Sequence, residues 1–123
     1  METYDKIAYR EDLKARLRTF SLKLIELTQK TSYSLESKVL ITQLLRSGTS
    51  TYANYRATCR SRSKAEFFSK LSIVVEEADE TEMWLDLVIA SKLNDSVLAK
   101  ELRNESLEIL KIMAKARKNA NLS

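Results

Sequence analysis

Carboxylates are the most concentrated reactive side chains of this chain. Residues 76–86 hold six of them and no basic residue. Carboxylates can act as general acids and bases, and in helical bundles they hold pairs of metal ions, but those di-metal sites also need histidines. This sequence has no histidine. We therefore interpret the segment as a solvated or salt-bridging helix face, and we predict no enzyme, catalytic residue, metal or cofactor. The six acids are Glu76, Glu77, Asp79, Glu80, Glu82 and Asp86.

The other chemistry available to the chain is limited. Cys59 is the only cysteine, so it has no internal disulfide partner, and without histidine it lacks the usual base of a thiol nucleophile. We predict that it is a small buried hydrophobe in a reducing compartment. The N-terminus lacks a basic start and an apolar core, and no apolar run approaches the roughly 18 residues of a membrane span. These features favour a cytoplasmic protein without a membrane partner.

Basic residues form a second group. The segment from residue 46 to residue 70 has six of them against one acid, Glu66, a net charge of +5. Arginines at this spacing could hold nucleic-acid phosphates while an exposed tyrosine stacks on a base. The alternative is that they pair with the acidic segment of a neighbouring helix or subunit. The predicted nucleic-acid-binding residues are Arg46, Arg56, Arg60, Arg62, Lys64 and Lys70.

Both groups must be positioned by helices, because the chain has no proline and a single glycine, Gly48. Proline and glycine set the unusual dihedral angles that most turns require. Apolar residues recur at steps of three and four, which predicts helices at about 4–30, 35–62, 64–91 and 95–118. Their short links favour a single all-α domain over residues 1–123, an up-down-up-down antiparallel four-helix bundle.

Apolar residues exceed what one bundle core requires. On the third helix Ile73, Trp84 and Leu87 lie roughly 100° to 160° from the core stripe at 100° per residue, and the second helix carries a doubled stripe. This surplus predicts an interface between copies of the chain, although a tilted neighbouring helix could also cover it. We further predict a structural polar pair between Asn54 and Glu80. The predicted interface residues are Ile41, Leu45, Tyr52, Ile73, Trp84 and Leu87.

Three stretches carry a resemblance to a known family: Gln43 to Tyr55, Ser63 to Phe67 and Glu76 to Leu85. They resemble the bacterial four-helix bundle proteins, also called 23S rRNA intervening-sequence proteins or S23-like proteins. The family is similar in fold to the accessory protein of diversity-generating retroelements. The resemblance implies a ring-shaped homopentamer with a basic surface that engages nucleic acid and a reverse transcriptase.

The two residues after Asn54 depart from the family pattern. Many members follow the asparagine with an Ala-Glu or Glu-Ala pair, whereas Asn54 is followed here by Tyr55 and Arg56, which makes the second helix more basic. The expected function is a non-enzymatic oligomeric bundle that binds RNA as an accessory factor, through the second helix and the turn after it. The alternative is a ring scaffold that recruits a protein partner such as a reverse transcriptase.

Overall fold

Four long helices make up the computed structural model, which describes residues 3–122. They are α1 (Tyr4–Gln29), α2 (Leu35–Thr58), α3 (Lys64–Ala90) and α4 (Val97–Leu122). Each helix packs against the two beside it, and the described range contains no strand. The predicted all-α four-helix bundle is therefore confirmed.

Hydroxyl side chains begin the helices. Ser34 accepts a hydrogen bond from the Ser37 amide at 3.0 Å, and Ser37 accepts one from the Ser34 amide at 2.8 Å, a reciprocal cap at the start of α2. Ser63 accepts from the Glu66 amide at 3.0 Å at the start of α3, where the sequence Ser63-Lys64-Ala65-Glu66 has the spacing of a capping box. The α4 helix begins at Val97, where Ser96 accepts from the Ala99 amide. Asp95 and Asn94, whose side chains could also cap a helix here, lie one and two residues before Ser96.

Three predicted helix boundaries differ from those in the structure. The α2 helix ends at Thr58 instead of residue 62, because the Ser61 hydroxyl donates to the Thr58 carbonyl at 2.7 Å and the chain turns there. The α4 helix begins at Val97 instead of residue 95 and continues to Leu122, beyond the predicted residue 118. All three differences lie at helix ends, where propensity is weakest and local hydrogen bonds decide the boundary.

The core lies along the axis of the bundle and draws leucines from every helix. Leu17 and Leu24 of α1, Leu44 of α2 and Leu71 of α3 are at most 1% exposed. Buried hydroxyls on α2 are satisfied locally: Thr51 donates to the Ser47 carbonyl at 2.9 Å. No buried side-chain nitrogen or oxygen lacks a hydrogen-bond partner in the described part of the chain. Polar residues can therefore occupy the face of α2 at little cost.

The single glycine allows α1 and α2 to approach closely. Gly48 lies inside α2, and a β-carbon added to it would overlap the δ-methyl group Cδ1 of Leu24. A glycine inside a helix lowers the stability by about 1 kcal/mol relative to alanine. At this position the closer packing of α1 against α2 offsets that loss. Gly48 therefore lies within a helix because a larger residue there would overlap Leu24 of α1.

Lys92 occupies a strained position after α3. Its φ of 64° falls in the left-handed region, which residues other than glycine adopt at a cost of roughly 1 kcal/mol. We expect Lys92→Gly to raise the free energy of unfolding by about 1 kcal/mol, measured by urea denaturation. The matched control is Lys92→Ala, which removes the charge but keeps the strain. Equal stabilities of the two variants would contradict this explanation.

Candidate functional site

Arg46 is held by the acidic segment of its own chain. Its guanidinium donates to Glu80 at 2.6 Å and to Glu77 at 3.5 Å, and the Trp84 indole donates to Glu80 at 3.3 Å. The hydrogen bond from Arg46 is the main reason that the pKa of the Glu80 carboxyl is lowered, whereas burial raises the pKa of Glu77. Arg46 therefore pairs with acidic residues of a neighbouring helix, which is the alternative to nucleic-acid binding given for the basic residues.

The predicted contact between Asn54 and Glu80 is wrong, because the register of α2 against α3 separates them. Ser47 lies opposite Thr81, whose hydroxyl donates to the Ser47 hydroxyl at 3.0 Å. Asn54 is seven residues farther along α2, which is about 10 Å at the rise of an α-helix. The structural polar pair at the centre of the bundle is Ser47 with Thr81, and Glu80 instead lies at the edge, with Arg46.

The predicted basic residues divide into a paired and an unpaired set. Besides Arg46, Lys70 is paired: its ammonium lies 2.9 Å from Glu66. That hydrogen bond is the main reason that the pKa of the Glu66 carboxyl is lowered, and the charge of Arg62 adds to it. In the described residues no ion pair is formed by the remaining four, which are exposed at the end of α2 and the start of α3: Arg56, Arg60, Arg62 and Lys64.

These four residues lie at one end of the bundle, where α1 and α3 begin and α2 and α4 end. We call it the basic end and define it as residues 3–13, 54–71 and 111–122. Its sequence has eleven basic residues and four acidic ones, a net charge of +7, whereas the whole chain has +4. The rest of the molecule therefore carries a net negative charge. Arg56 also lies over the ring of Tyr52, with its Cζ atom 5.8 Å from the ring centroid.

A cavity of about 750 Å³ opens at the basic end. Its apolar walls include the buried Leu13 and Leu71, the half-buried Phe67 and the exposed Tyr9. Its exposed lining residues include the basic Lys6, Arg62 and Lys64, from α1, the link before α3 and α3, together with one acid, Asp5. We call this exposed part of the lining the mouth of the cavity. Arg10 also lines it. An apolar interior with charged groups at the entrance is typical of a ligand site.

Tyr55 and Cys59 form the α2 side of the cavity. Tyr55 is 5% exposed, and burial is the main reason that the pKa of its phenol is raised; the neighbouring Cys59 raises it further. Cys59 is half-buried and lines the cavity, so it is less enclosed than the sequence predicts. On the pKa of Tyr55 the charge of Arg10 acts in the opposite direction and favours the ionised phenol.

The aromatic lining was missed by sequence reasoning. In the sequence Phe67 is an ordinary apolar position of the third helix, and nothing marks Tyr9 or Lys6 as site residues. The signal that could have found them is topological: in an up-down-up-down bundle the first turns of α1 and α3 share an end with the last turn of α2. Aromatic and basic residues in those turns must then lie near one another.

The predicted interface residues lie in different environments. Ile41 is 8% exposed and belongs to the core, where the neighbouring helices cover it, so its assignment to a subunit interface is not supported by its burial. Three others are half-buried against the core: Leu45, Tyr52 and Trp84. Ile73 and Leu87 remain 45% and 42% exposed on α3. The register places Val39 of α2, which is 54% exposed, near the level of Leu87.

The described residues offer neither a membrane span nor a metal cluster. Within residues 3–122 no helix combines the length and the hydropathy that crossing a bilayer requires. The same part of the chain has no group of three or more histidine, cysteine, aspartate or glutamate side chains that could hold a metal ion.

Comparison with known proteins identifies a matching family and a similar solved structure. The family model of the 23S rRNA-intervening sequence protein matches residues 12–115. A crystal structure of a protein of unknown function from the S23 ribosomal protein family of Bacteroides thetaiotaomicron is similar to this chain, with 33% sequence identity and a TM-score of 0.77. The similarity covers 89% of this chain and 97% of that one. Among curated proteins no match was found.

Proposed function

This chain belongs to the 23S rRNA-intervening sequence protein family, and we propose that it is a non-enzymatic accessory protein that binds RNA through its basic end. The observation that carries the proposal is the set of unpaired residues Arg56, Arg60, Arg62 and Lys64 at the turn from α2 to α3. Within the described part of the chain these four form no ion pair, so they are available to phosphates, and each phosphate contact releases counterions from the nucleic acid.

The distribution of acidic residues supports the same surface. The acidic segment of α3 is partly neutralised by arginines away from the basic end: Arg46 pairs with Glu80, and Arg103 lies 3.2 Å from Glu82. The basic end therefore carries net positive charge, and the rest of the bundle carries net negative charge. Such a separation steers a polyanion toward the basic end.

The test is RNA binding measured by fluorescence anisotropy with a labelled hairpin that has a single-stranded loop. We expect the double variant Arg60→Gln with Arg62→Gln to bind roughly tenfold more weakly at 0.1 M salt, and the slope of log K against log salt to fall by about two. The matched control is Lys38→Gln with Lys100→Gln, which removes the same charge far from the basic end. Equal losses from both double variants, or no binding by the unsubstituted protein, would overturn the proposal.

A second candidate function is assembly into a ring that recruits a protein partner. The exposed Ile73, Leu87 and Val39 support it, because they leave apolar area open along the outer face of α2 and α3. The family resemblance implies a homopentamer and a reverse transcriptase as the partner. Assembly is compatible with RNA binding, since the apolar face lies beside the helices and the basic end lies at their termini.

A further inference from the structure

We propose that the cavity at the basic end receives one unpaired base of a single-stranded RNA, while the flanking phosphates contact Lys6, Arg62 and Lys64. This inference rests on the proposed function and names the form of RNA that the basic end selects. It follows from the juxtaposition of an aromatic-lined cavity and basic residues at one opening.

The walls of the cavity suit a base. Tyr9 of α1 and Phe67 of α3 line it, and the buried Leu13 and Leu71 lie behind them. Every base has an apolar π-face that stacks on aromatic side chains, and such stacking requires no particular base. A volume of about 750 Å³ is in the range of small-ligand sites. The interior can therefore hold a base without recognising its sequence.

The mouth suits a phosphate chain. Lys6 reaches it from α1, Arg62 from the link between α2 and α3, and Lys64 from the first turn of α3. In the described part of the molecule none of these three side chains forms an ion pair. Cations from three segments around one opening can contact successive phosphates on both sides of an inserted nucleotide.

The opposite end of the bundle lacks this combination. A smaller cavity of about 440 Å³ opens there beside Lys30 and Lys92, but no aromatic side chain lines it. Aromatic walls and a basic mouth therefore occur together at the basic end, and the two ends provide an internal comparison.

Single-stranded RNA should consequently bind more tightly than duplex. Inside a duplex a base is stacked and paired, so its insertion into a cavity between helix termini first requires unstacking and unpairing. Phosphate contacts alone would accept both forms. The preference for unpaired RNA separates base insertion from simple charge attraction.

The test uses the full chain and three labelled RNAs of equal phosphate number: a short oligouridylate, the same strand abasic at every position, and a blunt duplex. Removing every base prevents the strand from sliding a neighbouring base into the cavity. We expect the abasic strand and the duplex each to bind at least about fivefold more weakly than oligouridylate, the scale of one lost stacking contact. Equal affinity for all three would overturn base insertion and leave the phosphate contacts of the proposed function intact.

Substitution of Tyr9 tests whether the base binds in this cavity. Tyr9 is 55% exposed, so Tyr9→Ala should fold. We expect this variant to bind oligouridylate at least about fivefold more weakly and to bind the abasic strand with unchanged affinity. Tyr9→Phe, which keeps the aromatic ring, should restore the binding of oligouridylate. The control is Tyr33→Ala, a tyrosine 82% exposed in the link between α1 and α2. Unchanged oligouridylate binding by Tyr9→Ala would overturn the role of the cavity. Failure of every RNA to bind the unsubstituted chain would overturn both this inference and the proposed function.

Discussion

Replacing Gly48 by alanine is expected to destabilise the native bundle but to stabilise a bundle in which Leu24 is already alanine. In the native chain the new methyl group overlaps the side chain of Leu24, which is 1% exposed and surrounded by core residues. Overpacking of this kind costs about 1–3 kcal/mol, whereas the gain in helix propensity is about 1 kcal/mol. The net effect of Gly48→Ala alone is therefore a loss of roughly 1 kcal/mol.

In the Leu24→Ala background, Gly48→Ala is expected to stabilise the bundle instead of destabilising it. Leu24→Ala itself costs about 2–5 kcal/mol because it leaves a cavity, and it removes the group that the methyl of alanine would meet. Gly48→Ala should then raise the free energy of unfolding by about 1 kcal/mol, measured by urea denaturation. The matched control background is Leu17→Ala, also a buried leucine of α1 but not in contact with the added methyl, where Gly48→Ala should remain destabilising. The same effect in all three backgrounds would show that Gly48 has no packing role.

The double variant Ile73→Glu with Leu87→Glu is expected to convert the assembled protein into monomers of 14.1 kDa. Both side chains are nearly half exposed, so the substitutions cost the isolated bundle little, but a charge buried in a subunit interface without a partner is strongly unfavourable. Size-exclusion chromatography with light scattering measures the mass directly. The unsubstituted protein should elute as an oligomer, and a pentamer is the expectation from the family resemblance.

A matched control tests the position of that interface. Leu35→Glu with Val97→Glu adds the same charges at two apolar residues that are each 73% exposed, at the end of the bundle opposite the basic end. This variant should keep the mass of the unsubstituted protein. An unsubstituted protein that is monomeric at high concentration would contradict the assembly, and dissociation by the control alone would place the interface at the other end.

The helices were predictable because their signals are local and repeated. Leu13, Leu17, Phe20 and Leu24 follow one another at steps of four and three, and all four are buried in the structure. The cap at Ser63 was predictable for the same reason, since it depends on neighbouring residues alone. The end of α2 was not, because the bond from Ser61 to the Thr58 carbonyl competes with one more helical turn and the sequence does not decide between them.

Contacts between helices were harder to predict than the helices. The pairing of Asn54 with Glu80 failed because it depends on the axial register of α2 against α3, which Ser47 and Thr81 set through packing in the core. The same register brings Arg46 to Glu80 and removes it from the nucleic-acid surface. A helical wheel gives the face on which a residue lies, but it carries no information about the height of one helix against another.

The cavity required the topology as well as the faces. Tyr9 and Phe67 are far apart in the sequence, and each reads as an ordinary apolar position of its own helix. They line one space because α1 and α3 run parallel and begin at the same end of the bundle. The basic residues of the turn between α2 and α3 were predictable from their density, whereas the aromatic half of the site emerged from three helices together.

Photo-crosslinking measures directly where RNA binds on the bundle. A short single-stranded RNA containing 4-thiouridine would be crosslinked to the full chain, and the modified peptides would be identified by mass spectrometry. We predict crosslinks within residues 56–67 and at Tyr9, at the basic end. Crosslinks confined to residues 30–35 and 92–98, at the opposite end, would contradict the central claim.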